Sequence, residues 1–365
     1  MKKSTNWVIG VIVVIAIVTV GYFASRGPGG VSQKTIKIGV VGPLSGDTAF
    51  LGEGIRDAIL LAKENMGKTD HTYELVFEDD QLDSKMTASA VNKLISVDKA
   101  DVVVSFGSGG GNVVSPIAEK NKVVHFGIAS DSKVADGDYN FIHWTPPTEE
   151  NKVFVAELQR RGIKKLGIFE SNTPGAAAVI ADLREKLKGT GIEIVTDQIF
   201  NSGEKDFRGI IAKTKDSGAE IYLLLAFSPE LEVLAGQMKE AGIKTPITSI
   251  EGFELSEKVN LFEGEWYINA ADPTGDFTDK FKAKTGKNPT LGAANGYDIF
   301  NLIVAAAEKV KGSIKPTPEQ IKNEVAKIKD FSGALGNLSV NENGIIVSKA
   351  AVRMIKDGKP VTVSN

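Results

Sequence analysis

The stretch Val102–Pro116, VVVSFGSGGGNVVSP, joins a β-branched run to a segment almost free of side chains. Val102–Ser105 reads as a buried strand, Gly107–Asn112 (GSGGGN) as a loop, and Val113–Glu119 as a short helix with Pro116 in its first turn. Free backbone N–H groups at a helix start attract anions, and missing side chains let a ligand come close to the backbone. Ser108 is the only hydroxyl in the glycine run and is placed to donate to the same anion. The loop lacks the Gly-Lys-Ser/Thr ending of a phosphate loop. Asn112 stands where G-x-G-x-x-G needs its last glycine, and Phe106 where G-x-S-x-G needs its first. The loop suits a small anion such as a carboxylate better than a nucleotide. A tight turn that binds nothing is the rival account of the same residues.

The elements around this loop follow a βα rhythm. Strands are expected over Ile36–Pro43, Tyr73–Phe77, Val102–Ser105, Val123–Phe126 and Phe141–Trp144, with amphipathic helices between the first four. That order demands a parallel sheet with right-handed crossovers, in which ligands sit beyond the carboxyl ends of strands. Ser45, Ser108 and Ser130 all fall at such ends. Glu78, Asp79, Asp80 and Asp83 read as a solvated strand end and a helix cap rather than a metal site. After Thr145-Pro146-Pro147-Thr148 the alternation restarts, with strands over Leu166–Phe169, Glu193–Ile199, Ile221–Leu225, Ile247–Ile250 and Trp266–Asn269. Two βα arrays parted by a Pro-Pro segment mean an α/β protein of two Rossmann-like lobes with a cleft between them. The tail, turning at Asn343-Gly344 and Asp357-Gly358, reads as antiparallel ribbon.

The 365 residues, 42% of them hydrophobic, are enough for two substantial cores. With 43 basic and 46 acidic residues the net charge is −3, which argues against a nucleic-acid partner. There is no cysteine, and His71, His125 and His143 show no metal spacing, so no metal or cofactor is expected. Each histidine reads as an ordinary surface or sheet residue. Lys2 and Lys3 precede an uncharged run, Trp7–Ala24, near the lower length limit for crossing a bilayer. A cleaved signal peptide and a retained anchor compete here. The anchor is favoured, because Tyr22 spoils the nearest cleavage site and no cysteine exists to carry a lipid. The two lysines then keep the tail inside and the rest of the chain outside, on a flexible tether over Arg26–Ser32.

Ile36–Gly46 (IKIGVVGPLSG), Glu78-Asp79-Asp80 before a helix, the glycine-rich loop at Ser108 and the closing Asp357-Gly358-Lys359 turn together resemble one family. It is the branched-chain amino acid (Leu/Ile/Val) type of periplasmic solute-binding protein that feeds ABC transporters. The resemblance runs from about Lys34 to the C-terminus. It implies a type I periplasmic-binding-protein fold, with lobes joined by three crossover strands near Trp144–Thr148, Ala270–Pro273 and Phe331–Asn337. The expected division is 1–35 for anchor and tether, 36–146 plus 272–331 for one lobe, and 147–271 plus 332–365 for the other.

The resemblance also implies a site. Ser108 and Gly109 would hold a ligand carboxylate, and Ala129 and Ser130 would add backbone groups and a hydroxyl. Glu251, in Ile250-Glu251-Gly252, would meet an α-ammonium, with capping of the next segment as its rival role. Phe227, Phe106, Tyr297 and Phe50 or Leu51 would line the side-chain pocket. Three features depart from the pattern: Thr173-Pro174-Gly175 stands where a Tyr-Gly is usual, Gly109 replaces a second serine, and Phe227 has no hydroxyl.

The function expected is capture of a small amino acid-like solute by hinge closure, delivered to an ABC permease by a monomer outside the cytoplasm. No enzyme chemistry and no cofactor are assigned. A ligand sensor docking to a membrane receptor, and a hydrolytic enzyme using Ser108 or Ser130, are the alternatives.

Overall fold

The computed structural model describes residues 34–363 apart from 257 and 313. The expected anchor Trp7–Ala24 and its tether lie outside the described residues. Among the described residues no helix is long and apolar enough to cross a membrane.

The chain begins β1 (Thr35–Gly42), α1 (Ala49–Asn65), β2 (Thr72–Asp79), α2 (Ser84–Ser96), β3 (Val102–Phe106), α3 (Ser108–Asn121), β4 (Val124–Ile128) and β5 (Asn140–His143). It continues with α4 (Pro147–Arg160), β6 (Lys165–Ser171), α5 (Pro174–Leu187), β7 (Glu193–Phe200), α6 (Arg208–Thr214), β8 (Ile221–Leu225), α7 (Glu230–Glu240), β9 (Ile247–Ile250) and β10 (Trp266–Ala270). Three helices follow, α8 (Gly275–Thr285), α9 (Ala293–Ala307) and α10 (Pro318–Val325). Last come the short strands β11 (Phe331–Gly333), β12 (Gly336–Leu338) and β13 (Ile345–Ile346), then β14 (Ala350–Lys356) and β15 (Lys359–Thr362).

Two sheets organise these elements. The first has the order β13-β5-β4-β3-β1-β2 and the second β15-β14-β10-β9-β8-β6-β7. The βα parts of both are parallel, because each strand returns through a helix rather than a tight turn. Every residue of β3, β4 and β8 is buried, as strands covered on both faces must be. One core packs Val104, Phe126 and Phe141 against Ile59, Ile299 and Ile303, and a second packs Leu166, Leu223 and Ile268 against Phe154, Leu158 and Leu183.

Four sequence expectations are corrected here. The helix after β3 starts at Ser108, so Gly109, Gly110 and Gly111 form its first turn and Pro116 lies inside it rather than at its start. Close packing explains one of these glycines: a Cβ on Gly111 would lie 2.7 Å from the Val134 side chain, whereas one on Gly109 would meet nothing within 4 Å. The Pro-Pro segment does not merely stop a strand but starts α4, with Pro147 in the first turn where its missing N–H costs nothing. Phe331–Asn337 is not a crossover, because β11 pairs with β12 in a small hairpin and Leu338 and Val340 stay in the first core. Ile345–Ile346 then pairs in parallel with β5, so residues 332–346 stay with the first core and only β14 and β15 form antiparallel ribbon in the second sheet.

The chain therefore passes between the two sheets at 144–146, 271–274 and 347–349. The passages are tied side by side: Thr145 and Ser348 share a hydroxyl–hydroxyl bond of 2.8 Å, and the Ala271 N–H donates to the Lys349 carbonyl at 2.8 Å.

Candidate functional site

A cleft of about 480 Å³ opens between the carboxyl ends of the two sheets, where open α/β sheets bind their ligands. Helix starts dominate its rim. Gly107–Gly110 at the head of α3, Thr173–Ala176 at the head of α5 and Ser228–Glu230 at the head of α7 all line it. The amino ends of α3 and α5 approach closely, since a Cβ on Gly175 would lie 3.2 Å from Ser108 Oγ. Three amino-terminal dipole ends thus face one space. The charged side chains in the lining, Asp47, Glu230 and Glu251, are all acidic, and no Lys, Arg or His is among them.

Ser108 lines the cleft at the start of α3. Its hydroxyl oxygen accepts the backbone N–H groups of Ser130 and Asp131, each at 3.1 Å, which leaves its own hydrogen to donate. The first N–H of α3 to turn back into the helix is that of Gly111, bonded to the Gly107 carbonyl at 2.9 Å. The N–H groups ahead of it are those a helix start leaves without intrahelical partners. Asp131 is held beside them by Asn112 Nδ2 at 2.9 Å and caps the turn Ser132–Ala135.

Glu251 faces that wall from the second lobe. It follows β9 with φ 63°, a left-handed conformation that is uncommon outside glycine, and its side chain lines the cleft. Its backbone N–H donates to the Ile268 carbonyl at 2.7 Å. Its Oε1 accepts from Ser130 Oγ at 3.3 Å and from the Trp144 indole N–H. The segment behind it is fixed by Glu254, whose Oε1 accepts from the Tyr267 hydroxyl at 2.7 Å and pairs with Arg353 at 2.9 Å. Burial holds the Glu251 carboxyl above its ordinary range, against the opposing effect of these donors. The capping role that rivals ligand contact is not seen, because the Glu251 side chain makes no cap bond to the turn Gly252–Leu255.

Of the other expected residues, Gly109, Ala129, Phe106 and Phe227 line the cleft. Phe50, Leu51 and Tyr297 do not. Leu51 is fully buried in the first core, because α1 begins at Ala49 and turns that side chain towards the sheet. Phe50 packs on the same core, and Tyr297 sits against Phe277 with ring centroids 5.0 Å apart. Ser45 bonds Asp79 at 2.5 Å instead of reaching the cleft. Asp80 is buried, accepting from Thr87 Oγ1 at 2.8 Å, so only the capping half of the acidic-run reading holds, with Asp83 as the cap. All three histidines are buried, and His125 bridges Ser105 Oγ at 2.8 Å and Asn140 Oδ1 at 3.0 Å. Burial pushes its pKa down to about 4, so it is neutral, and it does not touch Ser108 or Ser130.

Sequence reasoning missed Trp144, Leu82, Phe200 and the head of α7 as cleft residues. Trp144 carried a usable signal, standing at the last position before a crossover. Leu82, Phe200 and the head of α7 stand at or just beyond the carboxyl ends of β2, β7 and β8, the same topological signal that marks Ser108 and Ser130.

Two hinged α/β lobes with a polar-ended, apolar-walled cleft between them define a protein that holds a small solute. The chain belongs to the periplasmic binding protein family, whose model matches residues 35–360. It is a solute binder of the extracytoplasmic space, not an enzyme. It is 24% identical over 364 residues to the leucine-, isoleucine-, valine-, threonine- and alanine-binding protein of Pseudomonas aeruginosa, covering 94% of each chain. The leucine-binding protein LivK of Thermotoga maritima superposes with a TM-score of 0.83 at 22% identity, over 90% of this chain and 98% of that one. LivJ of Streptococcus pneumoniae, a branched-chain amino acid transporter substrate-binding protein solved with isoleucine, gives 0.80 at 25% identity, over 91% and 100%.

Proposed function

We propose that the protein captures an aliphatic α-amino acid between its lobes and hands it to an ABC permease. The observation that carries this reading is Ser130, whose N–H is bonded to Ser108 and whose hydroxyl is bonded to Glu251. One residue thus touches both a helix-start anion wall and a half-buried carboxylate. That separation suits a carboxylate and an ammonium borne on a single carbon. Ser108, Gly109 and the Ala129-Ser130 backbone receive the carboxylate, Glu251 receives the ammonium, and Phe106, Trp144 and Phe227 enclose the side chain. The name of the Pseudomonas relative and the isoleucine bound to LivJ support the ligand class.

Capture works by rotation of the lobes about the three passages at 144–146, 271–274 and 347–349, with ligand favouring the closed arrangement. Trp7–Ala24 tethers the molecule beside the permease. Native mass spectrometry of the full chain, incubated with L-leucine, L-isoleucine and L-valine, tests the ligand class: one bound amino acid per chain is expected. A chain that retains only a non-amine solute would contradict it. The intact mass of protein taken from its native membrane tests the tether, and a chain beginning near Val31 would exclude it.

A further inference from the structure

Glu150 has no role in the reading above. It lies in the first turn of α4, completely buried, and neither of its carboxyl oxygens finds a donor among the described residues. What it does find is another acid, since its carboxyl lies within hydrogen-bonding reach of that of Glu251. The further charge acting on the pair is Glu254, which Arg353 neutralises at 2.9 Å. Among the described residues no cationic side chain lines the cleft to balance the two.

Two carboxyl groups in contact, one completely buried and the other half-buried, with no cation beside them, do not both ionise; one keeps a proton and donates it to the other. The surroundings decide which one. Glu251 already accepts from Trp144 and Ser130, bonds that favour its charged form, while Glu150 accepts from nothing. Burial, reinforced by the charge of Glu251, holds Glu150 well above the ordinary carboxyl range, in agreement with this assignment.

We propose that Glu150 is a positioning residue of the cleft: it carries a proton, donates it in a hydrogen bond to Glu251, and fixes the cation subsite at a single negative charge. This rests on the amino acid reading and deepens it. A subsite of charge −1 matches one ammonium, and the Glu150 O–H keeps the Glu251 carboxylate aimed at the cleft when no ligand is present. No covalent step is involved, and the proton stays on the pair when ligand binds. Amine binding then weakens as pH falls through the apparent pKa at which Glu251 also takes up a proton.

Two substitutions on the full chain separate this role from space filling. Glu150→Gln keeps a donor and no charge, so L-leucine should bind within about threefold of wild type with the same pH profile. Glu150→Leu keeps bulk but loses the donor. It should weaken L-leucine binding at least about tenfold at neutral pH, with the acid limb of the profile moved to higher pH. Equal loss in both variants would overturn the proposal by showing that Glu150 acts as an anion. No loss in either would reduce it to packing. Infrared difference spectra of the ligand-free chain read the proton without any ligand: wild type at neutral pH should show a protonated-carboxyl C=O stretch that Glu150→Gln removes. Absence of that band overturns the proposal even if L-leucine binds. If the band is present and L-leucine does not bind, the pair stands and the amino acid reading falls.

Discussion

At the head of α3 the cleft offers a hydroxyl and backbone N–H groups and no charged side chain, whereas the wall across from it holds Glu251 with Glu150 behind it. In the proposed capture the first wall receives negative charge with dipoles that the fold has already oriented, so nothing ionic has to be buried. The second has no such option, because helix carboxyl ends do not reach the cleft and a cation needs an acceptor of opposite charge. It therefore buries carboxyl groups, and their raised pKa values record what burial costs them. The two ends differ accordingly: removal of one hydroxyl leaves the anion wall largely intact, and removal of one charge empties the cation wall.

Substitutions at the two walls should expose this asymmetry, in order of size. Glu251→Gln removes a charge-assisted bond to the ligand ammonium and should cost about 2–4 kcal/mol, roughly 30- to 1,000-fold in affinity by calorimetric titration. Because burial already opposes ionisation of Glu251, the same change should leave the denaturation midpoint unchanged or higher. Ser108→Ala should cost less, about 1 kcal/mol, since backbone donors remain on the carboxylate.

Glu170 on β6 sharpens the comparison as a buried acid outside the cleft lining. Burial and the neighbouring Asp197 raise its pKa to about 7, with Arg184 opposing. A folded-state value above the unfolded one means stability is fully present below about pH 4.5 and is lost as pH rises through about 7. Glu170→Gln should therefore gain about 1 kcal/mol over wild type in denaturant melts at pH 8, with no gain at pH 4 and no change in ligand affinity. A change in affinity would mean that burial of acids in the second lobe is coupled to the cleft more broadly than at Glu251.

The βα alternation was legible because fully buried parallel strands such as Val102–Phe106 leave unbroken apolar runs. Ser108, Ser130 and Glu251 were legible because loops after parallel strands face the cleft, a consequence of topology rather than of local sequence. Helix α4 was not, since Pro146-Pro147 reads equally as a stop and as a first turn. Losing that helix hid Glu150. Ile345–Ile346 was misjudged because two residues carry no period, and only pairing with β5 assigns them. Residue type makes Leu51 and Tyr297 look like pocket residues, because type alone does not say whether an apolar side chain faces a core or a cleft. The start of α1 and the Phe277 ring decide that in three dimensions.

The claim that a single zwitterion bridges unlike walls is tested most directly by removing one end of the ligand at a time. The full chain is titrated calorimetrically with L-leucine, with 4-methylpentanoate, which lacks the ammonium, and with 3-methylbutylamine, which lacks the carboxylate. L-Leucine should bind, and each truncated compound should bind at least about 100-fold more weakly, because it leaves one buried polar wall unmatched. Binding of either truncated compound as tightly as L-leucine would show that the corresponding wall does not contact the ligand and would contradict the account.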